Sequence, residues 1–242
     1  LEAVAANAGS ALTPIGNPQN LFIYWYYGVP PGRFLLVMAP LALVFLVALV
    51  AVAARRGGGA AAHPAPAPAA VDRSAYAAGL MLLLAVLVVL RLLPLAAILV
   101  VIAYALALNR ASLRVDYGLL LTFLLFFGIA ENIKDIITPA AVDGGGAHVF
   151  ALAALSSQVI SNVPAALLFA KLTDQWPALV WGVNVGAFGG LIGSLANLIA
   201  YRLVLNRHAG SGAARFTLKF IGINYAAFAL GVGLYIAVGR FM

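Results

Sequence analysis

The chain contains no cysteine. Disulfides, thiolate metal sites and thiol nucleophiles are therefore excluded, and the redox compartment is left open. Charge is almost as scarce. Only 9% of the 242 residues are Asp, Glu, Lys or Arg, seven acids against 14 bases. A soluble globular domain carries about 25%. This shortage excludes a soluble enzyme, a disordered tail and a nucleic-acid binder. Histidines are few: His63, His148 and His208 all fall in expected loops. Ser194 superficially offers a nucleophile, but an intramembrane hydrolase also needs a general base within reach, and none is available. An initiator Met and a signal-peptide pattern are missing too, so the expected reading is a fragment lacking its N-terminal part.

What is present is apolar. Hydrophobic residues make up 64% of the chain, and the mean hydropathy is +1.06. Apolar segments fall at 1–27, 34–54, 75–92, 95–108, 115–131, 147–172, 176–205 and 216–240. Runs of this length indicate membrane helices, whereas a transmembrane barrel would show ten-residue alternation. The fold class expected is all-α and membrane-integral. The net charge of +7 then reads as Lys and Arg held on the cytoplasmic side. A Gly/Ala/Pro stretch at 57–70 (GGGAAAHPAPAPAA) cannot bury a core and reads as a linker. Arg55, Arg56 and Arg73 flank it and mark it as cytoplasmic. The expected parts are 1–54 (a broken helix 1–27 and a span 34–54), the linker 55–74, and 75–242.

Segment 147–172 sets the topology. It is interrupted by Ser161-Asn162-Val163-Pro164, and its first arm is too short to cross a bilayer alone. A re-entrant hairpin keeps Arg202, Arg207, Arg215 and Lys219 inside; a single crossing would put them outside. Charge therefore favours the hairpin, with Ser161 and Asn162 at its tip and Pro164 in the first turn of the returning arm.

An internal repeat accompanies it. Residues 7–21 (NAGSALTPIGNPQNL) and 184–198 (NVGAFGGLIGSLANL) share six identities in fifteen positions at a constant offset of 177. About one or two would arise by chance. The charge map gives the two copies opposite directions across the membrane, the signature of an inverted-repeat secondary transporter. Both copies have the composition of a broken helix. The first interleaves Gly9, Pro14, Gly16 and Pro18 with Ser10, Thr13, Asn17 and Asn20. The second carries Gly186, Gly189, Gly190 and Gly193 with Asn184, Ser194 and Asn197. Unwound carbonyls and helix N-termini can bind ions; close packing through small residues is the alternative for the second copy. Glu2 is the one candidate for a buried acid.

The motifs ALTPIGNPQNLF, SQVISNVPAALLF and NVGAFGGLIGSLANL together resemble the ion transporter superfamily. It includes citrate-transporter-like permeases, divalent-anion/sodium symporters, arsenite efflux permeases and NhaD-type antiporters. The resemblance implies two inverted repeats, each with a re-entrant hairpin and a broken helix: here hairpin 147–172 and broken helices 1–27 and 176–205. The first repeat's hairpin is expected before residue 1. The resemblance further implies that Ser161 and Asn162 contact substrate or cation. Thr13, Gly16 and Asn17 would line one ion loop, and Gly190, Gly193 and Ser194 the other, with Asn184 and Asn197 beside them. Sodium would sit among Thr13, Asn17, Ser161 and Asn162. No cofactor is implied beyond a coupling ion, sodium or proton. The implied partners are the inner-membrane bilayer, a small inorganic or carboxylate anion and a second copy in a homodimer, with no nucleic acid. Dicarboxylate symporters carry Thr after the Ser-Asn pair; Val163 departs from that and leans toward the arsenite or NhaD-type branches or an uncharacterised permease branch. The functional expectation is a secondary transporter of a small anion or oxyanion. A sodium/proton antiporter, an arsenite-type permease, and a non-functional fragment or structural membrane subunit stand as alternatives.

Overall fold

The computed structural model describes residues 1–55, 73–133, 144–207 and 213–239. The interior of the expected linker, with Arg56 and His63, lies outside the described residues, as do Lys134, Asp135, Asp143, His208 and Arg240. Every regular element among the described residues is helical. The chain divides into two compact units, 1–52 with 123–242, and 53–122.

The smaller unit holds α4 (Arg73–Val89) and α5 (Ile98–Ala107), which pack on each other. Between them the backbone turns at Arg91, with φ 61, and a single 3-10 turn at Leu95–Ala97 leads into α5. Leu80, Leu82 and Leu83 of α4 point outward. Helix α6 (Tyr117–Ile133) straddles the boundary between the units.

In the larger unit the first segment is two helices, α1 (Glu2–Ala11) and α2 (Pro18–Tyr26), separated by residues 12–17. Pro14, Gly16 and Pro18 explain the interruption, since proline withdraws backbone donors. Asn17 starts α2 as its N-cap, accepting the Asn20 N–H on its side chain at 2.9 Å, and Pro18 takes the first helical position. Helix α3 (Pro31–Arg55) is long and apolar enough to cross a membrane, as is α11 (Ala213–Val238).

The remaining helices of this unit begin with α7 (Gly145–Ile160) and α8 (Asn162–Ala170), which pack against each other across Ser161. Ser161 has φ 73, a left-handed value costly for a residue with a Cβ and characteristic of functional turns. Both feet of this hairpin lie at one end: a Cβ built on Gly146 would stand 3.9 Å from the Gln175 side chain, just beyond α8. Helix α9 (Trp176–Gly186) follows, then a break at 187–194 holding one 3-10 turn, then α10 (Leu195–Arg207).

Helix α9 is apolar all round and is the centre of the unit, as such a pattern demands. Every residue of it except Pro177 is buried. Phe34, Met38, Leu41 and Phe45 of α3 face it, with Phe34 stacked on Trp176 and Phe45 stacked on Phe188. The Trp181 indole N–H donates to the Val37 carbonyl at 2.9 Å. On another side α7 lies close: Cβ atoms at Gly182 and Gly186 would run into Ala153 and Ser157 at 2.7 and 2.5 Å. The glycines of the second motif thus do part of the packing that small residues permit.

Candidate functional site

The two breaks meet. Helix α1 packs with α10 and α2 with α9, so the interrupted segments lie side by side. A break leaves carbonyls without helical donors, and buried carbonyls need partners. In the first break, Asn20 Nδ2 donates to the carbonyls of Ser10, Ala11 and Thr13 at 3.3, 3.0 and 3.1 Å. In the second, Asn197 Nδ2 donates to those of Ala187 and Gly190, each at 2.9 Å. Adding the offset of 177 to 20, 10 and 13 gives 197, 187 and 190. Each motif closes its own break with the same amide at the same places.

The breaks are also tied crosswise. Asn7 Nδ2 donates to Asn197 Oδ1 at 3.0 Å, Ser194 Oγ at 3.1 Å and the Ala187 carbonyl at 3.1 Å. Asn184 Nδ2 donates to Asn20 Oδ1 at 2.6 Å, and Asn17 Nδ2 donates to Asn184 Oδ1 at 3.1 Å. Asn7, Asn20, Asn184, Ser194 and Asn197 are all buried. The result is a neutral lattice of amides and a hydroxyl, with no ionised group in it.

The hairpin tip joins this lattice through Gln158. Its Nε2 donates to the carbonyls of Gly186 and Phe188 at 2.7 and 3.2 Å, and its Oε1 accepts the Gly190 N–H at 2.9 Å. Gly189 makes room. Its φ is 94, and a Cβ there would collide with the Gln158 amide. On the far side, the Gly189 N–H donates to the Asn224 carbonyl of α11 at 3.1 Å, while Asn224 Oδ1 is buried without a partner.

The structure brings most expected site residues together here. Asn17, Asn184, Ser194 and Asn197 are in the lattice. Thr13 and Gly190 contribute carbonyls that Asn20 and Asn197 occupy. Gly16 and Gly193 shape the breaks. A Cβ on Gly16 would collide with the Ser10 carbonyl, and one on Gly193 would sit 2.8 Å from the Gly186 carbonyl. Ser161 and Asn162 stand at the hairpin tip, where the Ser161 hydroxyl approaches Asn162 Oδ1 at 3.4 Å. Glu2 is exposed rather than buried. Among the described residues no group of three His, Asp or Glu side chains could hold a metal.

Gln158 is not among the site residues expected from the sequence, although it lies in the motif SQVISNVP. The available signal was a polar residue three positions before the tip of an apolar hairpin arm, where an amide needs a reason to be. Asn7 and Asn20 were visible as repeat identities but carried no assigned role.

The family model described as "Citrate transporter" matches residues 1–186. A relative named "Uncharacterized transporter MJ0456", from Methanocaldococcus jannaschii, is 35% identical over 207 residues, 84% of this chain and 56% of the relative. "Inner membrane protein YbiR" of Escherichia coli is 36% identical over 215 residues, 85% of this chain and 58% of the relative. The chain thus spans little more than half the length of each. No solved structure matches it. A transporter family and an inner-membrane relative agree with the apolar composition and with the two membrane-length helices. With a match over most of its length, the chain belongs to the citrate transporter family, a family of transporters and not of enzymes.

Proposed function

We propose that the protein is a secondary active transporter moving a small anion or oxyanion across the inner membrane, with sodium or protons as the coupling ion. The observation that supports this most is the crossed amide lattice. Asn7 pairs with Asn197 and its equivalent Asn184 pairs with Asn20, so each copy's first Asn meets the other copy's second. Two antiparallel copies of one motif around a pseudo-two-fold axis would make such crossed pairs, and inverted-repeat transporters place their substrate at that junction. The arms α7 and α8 have 16 and 9 residues. A membrane crossing needs about 20, so this pair is read as re-entrant from the outer side, with the 55–74 linker cytoplasmic.

In this reading Ser161 and Asn162 meet the substrate at the tip, and Thr13 and Asn17 provide oxygens for sodium where sodium couples. The working unit is a homodimer in the bilayer. Val163, where dicarboxylate symporters have Thr, favours a second reading as an arsenite-type permease or antiporter. The test is ligand-stabilised melting together with flux into proteoliposomes, across citrate, succinate, sulfate, arsenite and sodium. Asn162→Ala is expected to cut flux of the active substrate by about tenfold or more, since it deletes a buried donor. Unchanged flux in that variant, with no ligand shifting the melt, overturns the assignment.

A further inference from the structure

Helix α11 carries an exposed stripe away from the break lattice. Arg215, Lys219, Gly222, Ala226, Ala229 and Gly233 are all exposed. Alternating steps of four and three residues put them on one line down the helix. Phe220, Asn224, Ala227, Gly231 and Tyr235 form another line, and these are buried. Tyr201 of α10 fixes the orientation. Its ring packs on Phe216 and Phe220, and its hydroxyl lies 2.8 Å from that of Thr217. The stripe has two parts. Its head is a pair of bases. Below them, four small residues form a shallow trough, where a Cβ at Gly222 or Gly233 would meet nothing within 4 Å.

The two bases are uncompensated. Like charges four residues apart on a helix repel, and Arg215 in the first turn also opposes the helix dipole. Neither base has an ion-pair partner among the described residues. No acid follows Asp174 in the sequence, whereas Arg202, Arg207, Arg215, Lys219 and Arg240 do. Their level is set by the helix itself. The apolar stretch from Phe220 to Val238 rises about 28 Å, close to the roughly 30 Å of a hydrocarbon core. Lys219 therefore stands at the edge of the hydrocarbon, and Arg215 stands about 6 Å further out, among lipid headgroups. Topology asks only for bases near the ends of spans. It does not ask for two of them on one helix face, above a trough. A second copy packed in parallel through the trough would set these bases against their equivalents, so the occupant favoured by charge is an anion with an apolar tail.

We propose that this stripe binds an anionic phospholipid, with its phosphate held by Arg215 and Lys219 and one acyl chain lying in the trough from Gly222 to Gly233. Basic residues at the headgroup end of membrane helices attract anionic lipids, and arginine suits phosphate in particular. The proposal goes beyond the transporter reading and needs only that α11 stands in a membrane. The double variant Arg215→Gln, Lys219→Gln is expected to bind phosphatidylglycerol about tenfold or more weakly. Ala226→Leu keeps both charges and fills the trough, and is expected to weaken binding by about threefold. The double variant Arg110→Gln, Arg114→Gln makes the same change of net charge elsewhere and is expected to bind as wild type does.

The experiment titrates phosphatidylglycerol, phosphatidylcholine and inorganic phosphate into the detergent-solubilised protein. Melting temperature and native mass spectrometry are the readouts, with size-exclusion light scattering for the oligomeric state. Phosphatidylglycerol alone is expected to raise the wild-type melting temperature, and the Arg215/Lys219 variant is expected to lose that rise while melting as wild type does in phosphatidylcholine. A wild type that does not prefer phosphatidylglycerol overturns the proposal. So does equal loss in the Arg110/Arg114 variant, which would mean diffuse attraction, or an equal shift by inorganic phosphate, which would mean a soluble anion. A wild-type dimer that Ala226→Leu splits into monomers overturns it as well, because a second copy would then occupy the trough.

Discussion

Asn197 shows how much a single side chain carries. It satisfies two break carbonyls with its amide hydrogens, accepts from Asn7 on its oxygen, and donates its backbone N–H to the Ser194 hydroxyl oxygen. Asn197→Leu keeps the bulk and deletes the bonds, taking the amide donor from the Gly190 carbonyl and one bond each from the Ala187 carbonyl and the Asn7 amide. The expected loss is about 2–4 kcal/mol of stability, read as a fall in melting temperature in detergent. The double variant with Asn7→Leu should lose less than the sum of the singles, because both act on one network. Additive losses would mean that the lattice is not a unit. The sequence shows Asn197 as a repeat identity, since pattern is local. It does not show what Asn197 touches, because Asn7 lies 190 residues away along the chain.

At the scale of the element, equal sequence positions acquire unequal roles. Gly9 and Gly186 are partners at the offset of 177. A Cβ on Gly9 meets nothing within 4 Å, while one on Gly186 would stand 2.5 Å from the Ser157 Cβ. The difference is made by α7, which presses on α9 through Gly182 and Gly186. Gly9→Ala in this chain is expected to be neutral or to stabilise by up to about 1 kcal/mol, as alanine is the better helix former. Gly186→Ala is expected to cost about 1–3 kcal/mol by forcing α7 away. Parallel melting curves check the pair, and equal effects would contradict the close α7–α9 contact. Broken helices were legible in advance because proline and clustered glycine interrupt a helix wherever they occur. The hairpin was legible for a similar reason: SNVP falls inside an apolar stretch. Which glycines shape a break and which admit a neighbouring helix was not legible, since both jobs ask for the same missing Cβ.

For the whole molecule, the solvent decides what an exposed residue means. Leu43, Leu46 and Val47 of α3 are each more than half exposed, at 57, 56 and 67%. A soluble protein rarely offers such continuous apolar surface, whereas a bilayer requires it. Val47→Asp, near the middle of α3, is therefore expected to raise the cost of insertion by about 2.5–3.5 kcal/mol. Recovery in the membrane fraction should drop sharply. Undiminished recovery would argue that this face of α3 does not meet lipid. The same environment explains the site's chemistry. Charged side chains are expensive within a membrane, and amides and hydroxyls bond without carrying charge. Asn, Gln and Ser hold the two breaks together accordingly.

The sequence by itself determined the class of the molecule. Hydropathy, scarce charge and helix-breaking residues act through local energetics, so they announced a helical membrane protein with two interrupted helices and an apolar hairpin. Its motifs also pointed to the broader group in which the citrate transporter family belongs. Tertiary structure alone decided how the interruptions are filled. Gln158 enters the second break, Asn7 and Asn184 cross between the breaks, and Tyr27 ties the end of α2 to the end of α8. The physical reason is that an orphaned carbonyl is created by its own stretch of chain but can be satisfied from anywhere. Which donor reaches it depends on distances that only the packed helices define.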